Sequence, residues 1–265
     1  MTTILAIMPH PDDAEFFAGG TLALRADQGD RVILAVATDG ALGSFSIPAR
    51  ELAAQRMGEA ERAASLLGIG LVEWLGHPDG GLDSLPPGQL RLEIVRCIRS
   101  QRPDEVISLD PQDASEAHPD HRALARAVVE ALLFSHLPLF DPGSGSQHIP
   151  HWVAEKYFAA TSSHGANRFV DIGLTLERKL QALLEHRSQV DFLVEDVARQ
   201  AARAGVDLSS LLGTAAASPQ QLLAAAVRLQ AAQAGAAAGI AFAEAFRYAR
   251  FHPFVEQLLH DEGGA

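Results

Sequence analysis

Apolar residues in this chain fall into short unbroken runs separated by longer stretches with helical spacing. The runs at about 3–9, 31–38, 70–75 and 105–109 carry few polar positions. Continuous rather than alternating apolar runs predict strands covered on both faces. Between them, about 17–28, 49–67 and 90–100 read as helices, the first stopping at Gly29-Asp30 and the second at Gly68. Strands alternating with helices at this spacing predict βαβ units, a parallel sheet and right-handed crossovers. A further helix is expected at 121–134, then a loop rich in Pro, Gly and Ser at 137–151. Strands at 153–161 and 169–172 and a helix from Leu174 to about Val190 follow. Residues 192–238 are Ala-rich and helix-prone, broken near Gly205 and between Gly213 and Pro219. They read as a helical insertion or partner-binding element, with 240–256 completing the domain. The predicted whole is one α/β domain over 1–265, a Rossmann-like three-layer α/β/α fold with a mostly parallel sheet.

Composition narrows the chemistry. The net charge of -12 argues against a nucleic-acid or anionic-membrane partner. No apolar run approaches the roughly 20 residues of a membrane span. The N-terminus lacks a basic segment before its short apolar run, so no signal peptide is expected and the predicted location is cytoplasmic. Cys97 is the one cysteine and lies among Ile94, Val95 and Ile98, which predicts a buried thiol. Any metal must then be held by His and carboxylates.

Two motifs carry candidate chemistry. His10-Pro-Asp12-Asp13-Ala-Glu15 follows the first strand, and His118-Pro-Asp120-His121 follows the fourth. Both fall on loops at strand carboxyl ends, where open α/β sheets bind ligands. A His and an Asp there can clasp a divalent cation and leave a second Asp beside it. The plainer alternative is that Asp12 or Asp13 caps the next helix and the His residues are ordinary polar groups at helix termini. Gly19-Gly20 is followed by no G-x-x-x-x-G-K and no G-x-G-x-x-G occurs, so neither a phosphate loop nor a dinucleotide site is expected.

The paired motifs resemble those of the LmbE/PIG-L superfamily of zinc-dependent N-deacetylases. Thr38-Asp39-Gly40, Arg56-Met-Gly-Glu59, Lys179, His186-Arg-Ser-Gln189 and Ala243-Glu244-Ala-Phe-Arg247 fit as well, the last two being similar to the bacillithiol-biosynthesis branch. The resemblance spans all but about 192–238. It implies His10, Asp13 and His121 as zinc ligands, with ferrous iron as the alternative ion. It implies Asp12 as general base and His118 as the group that polarises the oxyanion or protonates the leaving amine. Asp120 would orient His118, Arg56 would reach substrate hydroxyls or the oxyanion, and Asp79 would hold a sugar hydroxyl. Arg56 could instead pair with Glu51 or Glu59, and Asp79 could be a plain turn residue. Glu15 is grouped with the substrate side, or else is a structural acceptor. The other histidines, His77, His148, His151, His164 and His186, read as surface or structural. Two departures stand out: Glu116, where some relatives carry an aromatic residue, and the bulky Phe16-Phe17. The expected activity is removal of acetyl from an N-acetylglucosaminyl-type small molecule, in a homo-oligomer, hexamer or trimer. The competing readings are a metal hydrolase of another amide or ester, and a non-catalytic metal-binding scaffold.

Overall fold

The structure is a computed structural model that describes residues 1–142, 149–161, 165–206 and 218–250. Its strands are β1 (Thr3–Met8), β2 (Arg31–Thr38), β3 (Leu71–His77), β4 (Glu105–Leu109), β5 (Glu155–Ala159), β6 (Arg168–Asp171) and β7 (Ala243–Ala249). They form one sheet in the order β3-β2-β1-β4-β5-β7-β6. β1 to β5 pair in parallel, while β7 runs antiparallel to both its neighbours. The helices are α1 (Asp13–Asp27), α2 (Ala49–Leu67), α3 (Gln89–Gln101), α4 (Pro119–Phe134), α5 (Leu176–Glu185), α6 (Arg187–Arg203) and α7 (Pro219–Ala238).

The unbroken apolar strands are explained by what covers them. Successive side chains of a strand point to opposite faces. Ile4, Ala6 and Met8 of β1 therefore pack with Leu22 of α1 and Leu67 of α2. Leu5 and Ile7 pack on the other face with Ile94 and Ile98 of α3 and Val128 of α4. Truncating one such residue to Ala typically costs about 2–5 kcal/mol, because the cavity left behind closes only in part. A third cluster joins Leu176, Leu180 and Leu183 of α5 to Leu223, Val227 and Ala231 of α7. So α7, within the Ala-rich stretch, has an apolar face packed into the molecule.

Several boundaries differ from the sequence reading. α1 begins at Asp13, four residues earlier than expected. α4 begins at Pro119, with His118 as its N-cap and Pro119 in the first turn, where a missing N–H costs nothing. β5 is shorter than the expected 153–161. The single helix expected over 174–190 is two, broken at His186, whose ψ of 56° leaves the helical region. The apolar period runs on across that break, which is why the pattern hid it. α6 ends at Arg203, close to the expected break at Gly205, which has φ +70°. The break expected between Gly213 and Pro219 and the end of the 240–256 segment fall largely outside the described residues, as do His148 and His164. β7 was not foreseen as a strand.

Candidate metal centre

β1 is flanked by β2 on one side and β4 on the other, so chain order reverses between β1 and β4. The chain leaves β1 into α1 on one face and β4 into α4 on the other. Their connecting loops diverge and open a crevice at the strand ends, the favoured ligand position in such sheets. Both motifs lie in it.

His10 and Asp13 share the first loop. Asp13 Oδ2 accepts the backbone N–H of His10 at 2.8 Å and lies 3.1 Å from its Nδ1. His121, on the first turn of α4, brings Nε2 within 3.1 Å of His10 Nδ1 and 3.4 Å of Asp13 Oδ1. Three potential ligand atoms from two distant loops thus converge. His10 Nε2, on the far edge of the ring, lies 3.1 Å from Asp79 Oδ1 and 3.3 Å from Asp120 Oδ2. The rings of His10 and His118 approach to 4.6 Å. Two donor groups, His10/His118/His121 and His10/Asp79/Asp120, have ligand atoms within 4.8 Å of one another.

The electrostatics of this cluster are unbalanced. Burial alone would lower the His10 pKa, but its hydrogen bonds to the carboxylates of Asp120, Asp13 and Asp79 outweigh it and push it up to about 12. Burial works against an ionised Asp13, yet the nearby His121 and His10 hold its carboxyl well below the usual range. Asp79 is likewise depressed, to about 2, against its burial by His10 and the Leu42 N–H. Asp120 is lowered against its burial by His10 and the N–H groups of Leu82 and Gly80. Three carboxylates therefore gather around His10, with His121 beside one of them. Buried charge of one sign needs compensation, and a divalent cation held by these residues would supply it. The donors are imidazole nitrogen and carboxylate oxygen without thiolate, a set that suits zinc and iron.

The remaining predicted residues have these contacts. Asp12 stands at the N-cap of α1 but makes no side-chain cap hydrogen bond. Its Oδ1 instead accepts from Arg56 Nη2 at 2.7 Å. Arg56, expected to reach substrate, is 3% exposed and also donates to Gly40 O at 2.8 Å. Asp120 is fully buried and accepts from the Gly80 and Leu82 N–H groups at 2.7 and 2.9 Å. Its carboxylate meets His10, whereas its link to His118 is its backbone N–H, which donates to His118 Nδ1 at 3.2 Å. Asp79, expected to hold a sugar hydroxyl, faces His10 and accepts the Leu42 N–H at 3.0 Å. Glu15 is buried against His186, with Oε2 3.3 Å from Nε2. His118 is exposed. Partial desolvation of its ring, together with the neighbouring His10 and His121, lowers its pKa.

Two contributors had no role in the sequence reading. Asp39 accepts the N–H groups of Ala41 and Asp79, both at 3.1 Å, and so joins the loops after β2 and β3. Glu116, noted only as a departure, places Oε2 2.8 Å from His121 Nδ1. The signal available for Glu116 was a carboxylate two residues before one candidate His and five before another. Beside these groups a cleft of about 620 Å³ opens, lined by His121, Glu116, Phe17, Leu82 and Arg122 among others.

Comparison with known proteins follows the same residues. The PIG-L family, GlcNAc-PI de-N-acetylase, matches residues 5–132, the span from β1 into α4. Diacetylchitobiose deacetylase of Thermococcus kodakarensis is 37% identical over 190 residues, covering 70% of this chain and 69% of that protein. A probable N-acetyl-α-D-glucosaminyl L-malate deacetylase 2 of Bacillus anthracis is 30% identical over 211 residues, covering 74% and 85%. Among solved structures, N,N'-diacetylchitobiose deacetylase from Pyrococcus horikoshii, complexed with its inhibitor MPG, superposes with a TM-score of 0.78 at 29% identity. That match covers 97% of this chain and 88% of the other. With the motif pair in one crevice and the likeness running through the loops that build it, this chain belongs to the PIG-L/LmbE family of N-deacetylases.

Proposed function

We propose that this protein is a zinc-dependent hydrolase that removes the acetyl group from an N-acetylglucosaminyl-type small molecule. The observation that carries the reading is the convergence of His10 Nδ1, the Asp13 carboxylate and His121 Nε2 within 3.1–3.4 Å. Those three residues would hold the ion. Zinc, when bound, supplies Lewis acidity that draws electrons from the amide carbonyl and makes water a better acid at neutral pH. The named relatives support the substrate class: diacetylchitobiose and N-acetylglucosaminyl malate both carry an N-acetylated glucosamine.

The protein groups divide the proton work. Arg56 holds Asp12 Oδ1, which leaves Oδ2 to take a proton from the attacking water. Asp12 then delivers that proton to the departing nitrogen, since an amine leaves far more readily than an amide anion. His118 Nδ1 accepts the Asp120 N–H, so the neutral ring carries its proton on Nε2. That N–H is the donor for the oxyanion that develops on the carbonyl oxygen. Asp120 and Asp79 fix the His10 ring from its far edge, as carboxylates behind a metal-binding imidazole do. Arg56 acts through Asp12 by aiming its carboxylate. The cleft beside His121 would take the rest of the sugar substrate. A cytoplasmic homo-oligomer, trimer or hexamer, completes the proposal. No helix among the described residues is long and apolar enough to cross a membrane.

The test is amine release from N-acetylglucosamine, diacetylchitobiose and N-acetylglucosaminyl malate, with zinc content measured in parallel. Release should vanish in Asp12→Ala with zinc retained, and in His121→Ala with zinc lost. Zinc-loaded wild type that releases no amine from any of the three would exclude the substrate class, and turnover of simple esters alone would favour the other-hydrolase reading.

A further inference from the structure

We propose that Glu116 is a positioning residue for the metal centre: its carboxylate fixes the orientation and proton position of His121, so that Nε2 is presented to the ion. The inference rests on the ligand assignment made above for His121 and extends it to a residue with no role there.

The geometry is specific. Glu116 Oε2 lies 2.8 Å from His121 Nδ1. A carboxylate can only accept, so the ring proton sits on Nδ1 and the lone pair sits on Nε2. Nε2 is the atom that points to His10 Nδ1 and to Asp13. The other oxygen, Oε1, accepts the backbone N–H of His118 at 2.7 Å. One carboxylate therefore joins the ring of His121 to the backbone at the start of its own helix. With the carboxylate removed, the ring is free to exchange tautomers and to rotate about its side-chain bonds.

The loop bearing Glu116 is itself held. Arg247 of β7 grips both oxygens of Asp110 at 2.7 and 2.8 Å. Asp113 N–H donates to Asp110 O at 3.1 Å, and Asp113 Oδ2 accepts the Thr161 N–H at 2.8 Å. Glu116 N–H closes the turn onto Asp113 O at 3.3 Å. Glu116 thus approaches His121 from a loop whose backbone is braced. Groups that orient a metal-binding imidazole in this way typically change metal affinity by roughly 10- to 100-fold when removed.

The experiment uses the full chain as wild type, Glu116→Ala, Glu116→Gln and His121→Ala. Zinc affinity is measured by competition with a chromophoric chelator, and the His121 tautomer by imidazole 15N chemical shifts in metal-free protein. Glu116→Ala should weaken zinc roughly 10- to 100-fold and lose the Nδ1–H signature. Glu116→Gln keeps one acceptor oxygen, which can face His121 Nδ1–H while the His118 N–H loses its partner, so it should restore the tautomer and part of the affinity. Glu116→Ala with wild-type affinity and tautomer would overturn the inference. So would matched losses in affinity and melting temperature in both Glu116 variants, which would mark a purely structural role. If Glu116→Ala does not fold, Glu116→Gln with zinc affinity weaker than alanine substitution of His121 itself overturns it too. His121→Ala that binds zinc as wild type does would instead sink the ligand assignment beneath the inference.

Discussion

Two buried charged clusters touch α1, one at its start and one at its middle, and they are built on opposite plans. At the middle, Lys179 Nζ donates to Glu244 Oε1 at 2.6 Å and to Phe16 O at 2.8 Å. Glu244 also accepts the N–H groups of Gly20 and Thr21 at 2.8 and 2.7 Å. One cation meets one anion there, and the carboxylate's oxygens are filled by backbone donors. That closed pair ties α5 and β7 to α1. At the start of α1, the carboxylates of Asp13, Asp79 and Asp120 crowd His10, with His121 beside Asp13. Carboxylates outnumber the imidazoles they face there. Burial and ion pairing are common to both clusters, and what separates them is the ratio of carboxylates to cationic partners.

Disabling the first cluster chemically should give the largest effect. Asp12→Ala should lower kcat by about 10³-fold or more, within the range for loss of a general base, while circular dichroism and zinc content stay as in wild type. Breaking the second cluster should instead cost stability. Lys179→Met leaves Glu244 buried and uncompensated, and should destabilise by about 3–5 kcal/mol in chemical unfolding. Its folded fraction should keep the wild-type KM. A large KM change with little loss of stability would mean that the two clusters are not separable in this way. Zinc should then distinguish them directly. Free zinc at a hundredfold excess over its dissociation constant should stabilise wild type by about 2.7 kcal/mol, leave Lys179→Met with a similar increment, and do nothing for His121→Ala.

A smaller effect concerns acid. Asp113 is depressed to about 2, against its burial, by Ser115 and Thr161. A carboxyl lowered in the folded state contributes stability above its unfolded value, near 4, and loses it as pH falls through the folded value. Asp113→Asn should therefore reduce the fall in stability between about pH 4 and pH 2 by roughly 1 kcal/mol, less than the full worth of the shift because solvent screens this open loop, read from urea unfolding at a series of pH values. An unchanged acid limb would show that the loop bonds of Asp113 persist when it is protonated.

Much of the fold was legible because it depends on local pattern. β1, β2 and β4 announced themselves as unbroken apolar runs, and α2 and α3 by their spacing and stops. What failed was decided by contacts between distant segments. The break at His186 depends on tertiary placement, because its ring is fully buried near Glu15. β7 is a strand because β5 and β6 pair with it from both sides, a neighbourhood that no local window contains. The site divides the same way. His10, Asp13 and His121 were legible as motif residues at strand ends. The duties of Arg56 and Asp120 were not, because a long guanidinium or a carboxylate can serve many partners. Packing chose Asp12 for Arg56 and His10 for Asp120.

The sequence by itself thus determined which residue types stand at the ends of β1 and β4, since apolar runs and motif spacing are properties of short segments. Only the tertiary structure decided which carboxylate faces which imidazole. A side-chain ion pair is worth little until folding buries it, and burial is set by the whole sheet and the helices on both its faces.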